Sequence, residues 1–483
     1  MVKNKTLRWH ELIGINIFWL GLNIRNNAFG TIFMPYLVAI FAPEAIRNTA
    51  LGMMRTAGLV IAMLVQPAMG LLSDRNASRF GRRRPFIFVG VLLDLLFLAF
   101  VAMAWDYWSL LVAILLLQFS SNISHGALQA LIPDLVPEKQ RGLASAVKAI
   151  FELLPLILLA FTIARLVGKG QVDWAIFATG ASLLVIMLLT MIMVKEEPLK
   201  EKTTEPLKPL MVRVLGVLAG IVVGALAGLL VGGVVGGFAG LISHFFTDTA
   251  KAWAIAVGLG GAVSMVVAVV VGVWAGAIGS LGQDARRQSS FTWWVVNRLM
   301  FLAAVTSIQG FAPYFLMYAF KITNEEAAQL TGNLVMVVGI FTLLSALPSG
   351  WFSDNFGYKR LVAISGVIAT IGGALLLSTI WLPNLNMILI AGCILGIATG
   401  LFMTTNWALG TQVAPRREAG RYLGISNLAG AGAGMIGTGI GGPMADYLNG
   451  YYPGLGYFAI FASYALLFGL SVVSLIGVKD NRA

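Results

Sequence analysis

Apolar residues run through most of this chain in stretches of about 20 positions or more, the length a helix needs to cross a bilayer. Charge collects in the gaps between them, as in SDRNASRFGRRRP (73–85) and KEEPLKEKTTEPLKP (195–209). Fourteen apolar segments follow from this pattern, near 12–40, 50–72, 85–105, 108–133, 143–165, 173–194, 212–243, 252–281, 293–320, 326–350, 360–381, 386–410, 421–445 and 455–477. The pattern predicts an all-α polytopic membrane protein. One segment is unusual. Glycines at 216, 220, 224, 228, 232, 236 and 240 fall on every fourth position, where a soluble helix would lose stability. Small residues at that spacing let two helices approach closely in lipid. The facing series expected on the next segment is Ala254, Gly258, Ala262, Ala268, Gly272 and Gly276.

Two charged gaps resemble each other. GLLSDRNASRFGRRRP (70–85) and GWFSDNFGYKR (350–360) align Gly70 with Gly350 and Asp74 with Asp354. A second pair, LVPEKQRG (135–142) and QVAPRREAG (412–420), aligns Pro137 with Pro415. Matched gaps in the same order predict two related six-helix bundles, residues 1–194 and 293–483. The excess, 195–292, is then a linker followed by an inserted transmembrane hairpin. The hairpin is read as packing, against the alternatives of a glycine-lined path or a contact between copies.

Composition agrees with this picture: 58% of residues are hydrophobic and 11% charged, against roughly 25% charged in soluble proteins. The formal net charge is +12. Lys and Arg crowd the gaps assigned to the inner side, and the outer gaps hold only Arg47, Arg165, Lys169, Lys251 and Lys321. That bias predicts cytoplasmic N- and C-termini in an inner or plasma membrane. It also assigns the basic residues to anionic lipid, so no nucleic-acid partner is expected. The start, MVKNKTLRWHE, reads as a cytoplasmic tail rather than a secretory signal. A single Cys393 and three scattered histidines make no metal-ligand spacing. With no catalytic motif either, neither an enzyme nor a cofactor is expected. The expected oligomeric state is a monomer.

The two matched gaps resemble the loop between helices 2 and 3 of each half in the major facilitator superfamily. The first, with Asp74-Arg75, Arg79-Phe80-Gly81-Arg82 and Arg84-Pro85, is similar to the sucrose-carrier-like family and the glycoside–pentoside–hexuronide symporters. The inserted hairpin departs from the usual twelve spans of both. The resemblance implies a carrier working by alternating access, with a site between the halves lined by the first, fourth, seventh and tenth family helices. A conformational lock is assigned to Asp74, Arg75, Arg79, Gly81, Arg82, Asp354, Gly357, Lys359 and Arg360. Outer arginines such as Arg83 are assigned to orientation and lipid contact only.

On segment 108–133, Gln118, Asn122, His125 and Gln129 fall within about 60° of one another at about 100° per residue. Such a polar stripe is costly in a membrane unless it faces partners or water. Asn16, Asn23 and Asn27 repeat the pattern on the first segment, and Gln309 and Asn406 are weaker candidates, with Thr399, Tyr314 and Trp407 near them. An uncharged lining of amides suits a small neutral polar solute, a sugar or glycoside. The competing reading of both stripes is interhelical hydrogen bonding. Against the sucrose-carrier signature, Leu117, Asn122, Gly126, Ala130, Leu131, Asp134 and Leu135 match. Gln118 stands where that family has its proton-carrying Asp, and Gln129 where it has an Arg. Gln66 stands where the melibiose-type symporters have a sodium-binding Asp.

Other ionisable candidates for coupling are Arg25, Asp94, Glu152 and His125, with Arg25 as the partner of Asp94 and Lys148 pairing with Glu152. Arg55 and Arg298, within about two turns of span ends, are expected to snorkel. Two modes remain open, proton coupling through Asp94, Glu152 or His125, and facilitated diffusion. The alternative functions are proton-driven efflux of amphipathic compounds and a non-transporting sensor or scaffold.

Overall fold

A computed structural model describes residues 6–196, 208–415 and 419–479; at 208–211, at Asp354 and at several positions between 419 and 431 only the backbone is described. The described chain is helical. Residues 9–41 form one rod, α1, in which an α-helix Trp9–Asn27 passes into a π-helical turn Ala28–Phe33 and then a helix Met34–Phe41. There follow α2 (Arg47–Asp74), α3 (Arg84–Ala102), α4 (Tyr107–Leu128), α5 (Arg141–Phe161) and α6 (Val172–Met193). The glycine-rich hairpin is α7 (Lys208–His244) and α8 (Thr249–Leu281). The last six are α9 (Ser289–Phe320), α10 (Asn324–Phe356), α11 (Tyr358–Leu377), α12 (Leu385–Val413), α13 (Ala419–Tyr451) and α14 (Leu455–Ser474). Among the described residues, twelve helices are long and apolar enough to cross a bilayer. The π-interrupted α1 and the glycine-rich α13 complete the fourteen expected positions.

Contacts divide the chain into two compact units at boundaries other than the sequence halves. The first unit comprises residues 1–41, 60–211 and 324–339. Its core is built from the apolar stripe Leu12, Ile15, Phe18, Trp19 and Leu22 of α1, with Ile87 and Val91 of α3 and Leu183 and Met187 of α6. The start of α10 belongs here because Tyr36 Oη donates to Glu325 Oε1 at 2.8 Å and Asn324 Nδ2 donates to the Tyr36 carbonyl at 3.0 Å.

The second unit comprises residues 42–59, 212–323 and 340–483, so the hairpin belongs with the C-terminal helices. The start of α2 is held here by one carboxylate. Asp446 accepts from Asn48 Nδ2 at 2.7 Å, from Asn48 N at 3.2 Å and from Thr49 N at 2.7 Å. These are first-turn N–H groups that the helix itself leaves free, and a carboxylate there also meets the positive end of the helix dipole.

The glycine ladder is a backbone-to-backbone seam. A Cβ added at Gly220 would overlap the Gly276 backbone, one at Gly224 the backbone of Gly272 and Ala268, and one at Gly236 the Ala256 carbonyl. The facing stripe is therefore Ala256, Gly260, Ser264, Ala268, Gly272 and Gly276. The expected Ala254, Gly258 and Ala262 are corrected: two series of small residues interleave on α8, and Ser264 keeps the four-residue spacing unbroken on the true one. Gly258 and Gly261 instead approach Leu448 and Met444 of α13. The hairpin thus uses one face of α8 for α7 and another for α13.

Candidate functional site

In the first unit, α1, α4 and α5 converge on Trp19. The indole is 4% exposed and its Nε1 has no hydrogen-bond partner among the described residues. His125 of α4 meets it edge to face, with ring centroids 5.5 Å apart, and Lys148 Nζ of α5 lies 4.0 Å from the ring centroid. Lys148 also pairs with Glu152 at 3.3 Å, one helical turn on. Gln129 Nε2 lies 3.5 Å from His125 Nε2 and is exposed, while Gln118 and His125 are half-buried. Donors, acceptors and an aromatic body thus surround one spot on α1. Trp19 was not among the sequence candidates, although it lies one turn from both Asn16 and Asn23.

The asparagines behave differently. Asn16 Nδ2 donates to the Leu12 carbonyl at 2.9 Å, Asn23 to Trp19, Asn27 to Asn23 and Asn122 to Gln118, the last three at 2.7–2.8 Å. Each amide spends one of its two N–H donors on its own helix four residues back. The second N–H and the acceptor Oδ1 are left for other partners, and Asn16 is fully buried.

Deeper in the same unit, Arg25 and Asp94 form an ion pair, Nε to Oδ2 3.4 Å, with 2% and 1% of the side chains exposed. Arg25 Nη2 donates to the Leu117 carbonyl at 2.8 Å and Nη1 to Asn26 Oδ1 at 2.8 Å, and Ser120 Oγ donates to Asp94. Both Nη groups of Arg25 and Oδ1 of Asp94 are hydrogen-bonded, while Arg25 Nε meets Asp94 only as an ion pair; a buried pair is tolerated when it is supported in this way. The π-helical turn begins three residues after Arg25, a deviation that often marks functional stretches of helices.

The second unit buries an arginine on other terms. Arg298 is 9% exposed, and the expectation that it snorkels is corrected. Helix α9 starts at Ser289 rather than 293, which moves Arg298 a turn deeper. Its Nη1 donates to Asn406 Oδ1 at 3.3 Å, and its guanidinium lies 5.2 Å from the Trp407 ring centroid and 5.9 Å from that of Trp294. Asn406 is fully engaged: its Nδ2 donates to Asn297 Oδ1 at 2.7 Å, and its carbonyl accepts from Trp294 Nε1 at 2.9 Å. Asn297 in turn donates to the Ser471 carbonyl at 2.8 Å. Arg55 does not snorkel either, for its guanidinium packs on Gly310 of α9. Gln309 and Thr399 are half-buried and Tyr314 is buried.

At the ends of α2, α3, α4 and α6 lies a charged clasp. Arg82 Nη2 pairs with Asp134 Oδ2 at 2.5 Å and with Asp74 Oδ1 at 3.4 Å. Arg83 is its buried centre: Nε meets Asp134 Oδ2 at 3.0 Å, Nη1 donates to the Gly70 carbonyl at 3.1 Å and to Ser73 Oγ at 2.5 Å, and Nη2 pairs with Asp74. The lipid-contact assignment of Arg83 is thus corrected. Pro85 fixes the first turn of α3, and Arg83, as its N-cap, is turned inward. Glu196 Oε2 accepts from the backbone N–H of Arg83 at 2.8 Å and of Arg84 at 3.0 Å. Gly81 (φ +108°) is required on two counts, its left-handed backbone and the overlap any side chain would have with Glu196. Arg79 stacks on Phe80, and Arg75 is half-buried.

The matching loop of the second unit is described in part. Lys359 Nζ donates to the Val478 carbonyl at 2.6 Å, Gly357 has φ +85° and Arg360 is exposed. The side chain of Asp354 and residues 416–418 lie outside those described.

The model of the Major Facilitator Superfamily matches residues 18–307 and again 294–482. The chain belongs to that superfamily. This superfamily member is an integral membrane protein of a transporter family. It is 30% identical over 144 residues to the sucrose transport protein SUC3 of Arabidopsis thaliana, covering 25% of this chain and 24% of that protein. It is 24% identical over 165 residues to the MFS transporter asaE of Aspergillus flavus, covering 34% of this chain and 36% of that protein. The matched stretches thus span about a quarter to a third of these relatives. The crystal structure of a D-xylose-proton symporter superposes with TM-score 0.64 at 14% identity, covering 97% of each chain. That likeness is one of fold.

Proposed function

We propose that this superfamily member is a secondary carrier that moves a small hydroxyl-rich solute of the sugar class by alternating access, and that it is not an enzyme. The observation that carries the reading is that His125 and Lys148 meet on Trp19, with Gln129 beside His125 and Glu152 paired to Lys148. Amide, imidazole, ammonium and carboxylate within reach of one spot match the alternating donors and acceptors of a sugar ring. The sequence likeness to SUC3 supports the same class. His125 and Glu152 are the exchangeable-proton groups nearest that spot. Asp94, held by Arg25 and Ser120, is the structural member of the coupling candidates. The clasp of Asp74, Arg82, Arg83 and Asp134 is the element whose making and breaking biases the two access states. Cytoplasmic termini in an inner or plasma membrane and action as a monomer complete the reading.

Uptake of radiolabelled sucrose, xylose, inositol and methyl glucoside into proteoliposomes tests it, with and without an imposed pH gradient. Saturable uptake of at least one, depressed in Gln129→Leu and His125→Asn, is the expected result. Stimulation by inside-alkaline liposomes, lost in Glu152→Gln, assigns proton coupling, and indifference to the gradient assigns facilitated diffusion. Expulsion of lipophilic cations with no sugar movement overturns the proposal.

A further inference from the structure

Helix α2 is fastened at both ends, and its two ends belong to different units. Residues 47–59 lie in the second unit and residues 60–74 in the first, where Asp74 enters the clasp. The start of α2 rests on α13 along a stripe that is nearly bare of side chains. Gly434, Thr438, Gly442 and Asp446 of α13 fall on every fourth position, the spacing of one helix face. Against them, in falling order along α2, come Leu59, Gly52, and then Asn48 with Thr49. A Cβ added at Gly442 would overlap the Asn48 carbonyl, and one at Gly52 the Thr438 carbonyl. The hydroxyls of the seam do not fasten it. Thr438 Oγ1 donates to the Gly434 carbonyl of its own helix at 2.7 Å, and Thr56 Oγ1, beside Gly439, has no hydrogen-bond partner among the described residues.

Two helices in contact through backbone have few interlocked side chains to lift when one slides along the other, the motion called shear. Asp446 ends the stripe, and its contacts are of another kind. Its carboxylate accepts from Asn48 Nδ2 and from the first-turn N–H groups of Asn48 and Thr49, bonds that a full charge strengthens. Arg47 does not draw it away, for that guanidinium lies over the Tyr314 ring, 5.7 Å from its centroid. We propose that Asp446 is the latch of a sliding seam: during the transport cycle the first turns of α2 shift along the bare stripe of α13, and this carboxylate sets how long the seam stays closed. Asp446 is a positioning residue that touches no solute. The inference rests on the carrier reading, and it gives α2 a second fastening, built from other residues than the clasp.

The test is maleimide alkylation of the purified full chain without solute, read by mass spectrometry at two cysteines of the same molecule. One is introduced in the seam by Thr56→Cys; the other is the native Cys393 of α12, outside it. Asp446→Asn sets an amide NH2 against first-turn donors. It is expected to speed alkylation at position 56 about tenfold and to leave Cys393 unchanged. Asp446→Glu keeps the charge and should give a smaller rise. No rise at position 56 in Asp446→Asn overturns the proposal, as does an equal rise at Cys393, the mark of general loosening. If Asp446→Asn is not monodisperse, Asn48→Ala carries the decision, because it deletes the 2.7 Å side-chain bond alone. Faster alkylation at position 56 then supports the latch, and an unchanged rate overturns it. Oxidation of the pair Thr56→Cys/Gly439→Cys should stop sugar uptake in proteoliposomes until a thiol is added, and undiminished uptake by the cross-linked protein overturns the sliding. A seam that opens in Asp446→Asn, with no sugar uptake by the wild type, sinks the carrier reading and leaves the latch standing.

Discussion

Arg25 and Arg298 are both withdrawn from water inside a helical bundle, yet among the described residues only Arg25 pairs with a carboxylate. In the first unit the charge is closed on itself, with Asp94, Ser120 and the Leu117 carbonyl around it. In the second, a chain of amides and two indole faces stands where an acid would be expected. The contrast extends to packing, for the second unit holds its hairpin by bare backbone.

The hardest test of that contrast is Asp94→Leu. It strands Arg25 in the bundle, and breaking a buried pair from one side costs about 3–5 kcal/mol. Little monodisperse protein should survive solubilisation. The double variant Arg25→Leu/Asp94→Leu should recover most of the loss. Thermal unfolding of the four members of the cycle checks this, and strict additivity would show that the pair is not a closed unit.

Second in size is the seam of the hairpin. Gly224→Leu drives a side chain into the Gly272 and Ala268 backbone, and overpacking of this kind costs about 1–3 kcal/mol. Gly237, with open space around it, should accept Ala without measurable change in melting temperature. If Gly237→Ala proves as harmful as Gly224→Leu, the second unit does not rest on backbone contact.

These features differ in how far the sequence discloses them. Asp94 and Arg25 announce themselves because an ionisable residue in mid-span is expensive wherever it points. The period-four glycines disclose a helix seam in the same way, and only the phase of the partner stripe escapes. Arg83 escapes altogether: in the run Arg82-Arg83-Arg84-Pro85 no periodicity distinguishes the residue turned inward, and only the tertiary positions of Asp74, Asp134 and Glu196 decide it. Arg298 and Arg55 read as span-end residues because the apolar segments are bounded at 293 and 50. The helices in fact begin earlier, at Ser289 and Arg47. The π turn in α1 has no compositional mark at all. Trp19 was hidden by its chemistry, since an indole in an apolar run reads as core until His125 and Lys148 are seen against it.

The clasp ranks third. Its side chains other than Arg83 are between 23% and 40% exposed, so solvent screens much of their attraction. Asp134→Asn removes the acceptor shared by Arg82 and Arg83 and should shift the balance of access states by roughly tenfold, about 1.4 kcal/mol. Lys359→Gln, which loses one bond to a carbonyl, should shift it by less than half of that free energy. Alkylation rates of single cysteines placed at the inner ends of α4 and α12 read the shift. Equal effects at the two loops would remove the asymmetry between the units.

The smallest expected effect is the most discriminating. Arg298→Gln removes a cation that pairs with no carboxylate among the described residues, so the variant sheds a desolvation cost as it loses one hydrogen bond and two aromatic contacts. A hydrogen bond from a charged donor contributes about 1.5–3 kcal/mol, and relieving an unpaired buried charge returns a comparable amount. The two oppose each other, and the melting temperature without ligand should move by no more than the equivalent of about 1 kcal/mol. Thermal unfolding beside the Asp94 series makes the comparison direct. If Arg298→Gln destabilises as strongly as Asp94→Leu, Arg298 is a closed structural charge like Arg25, and the contrast between the two units fails.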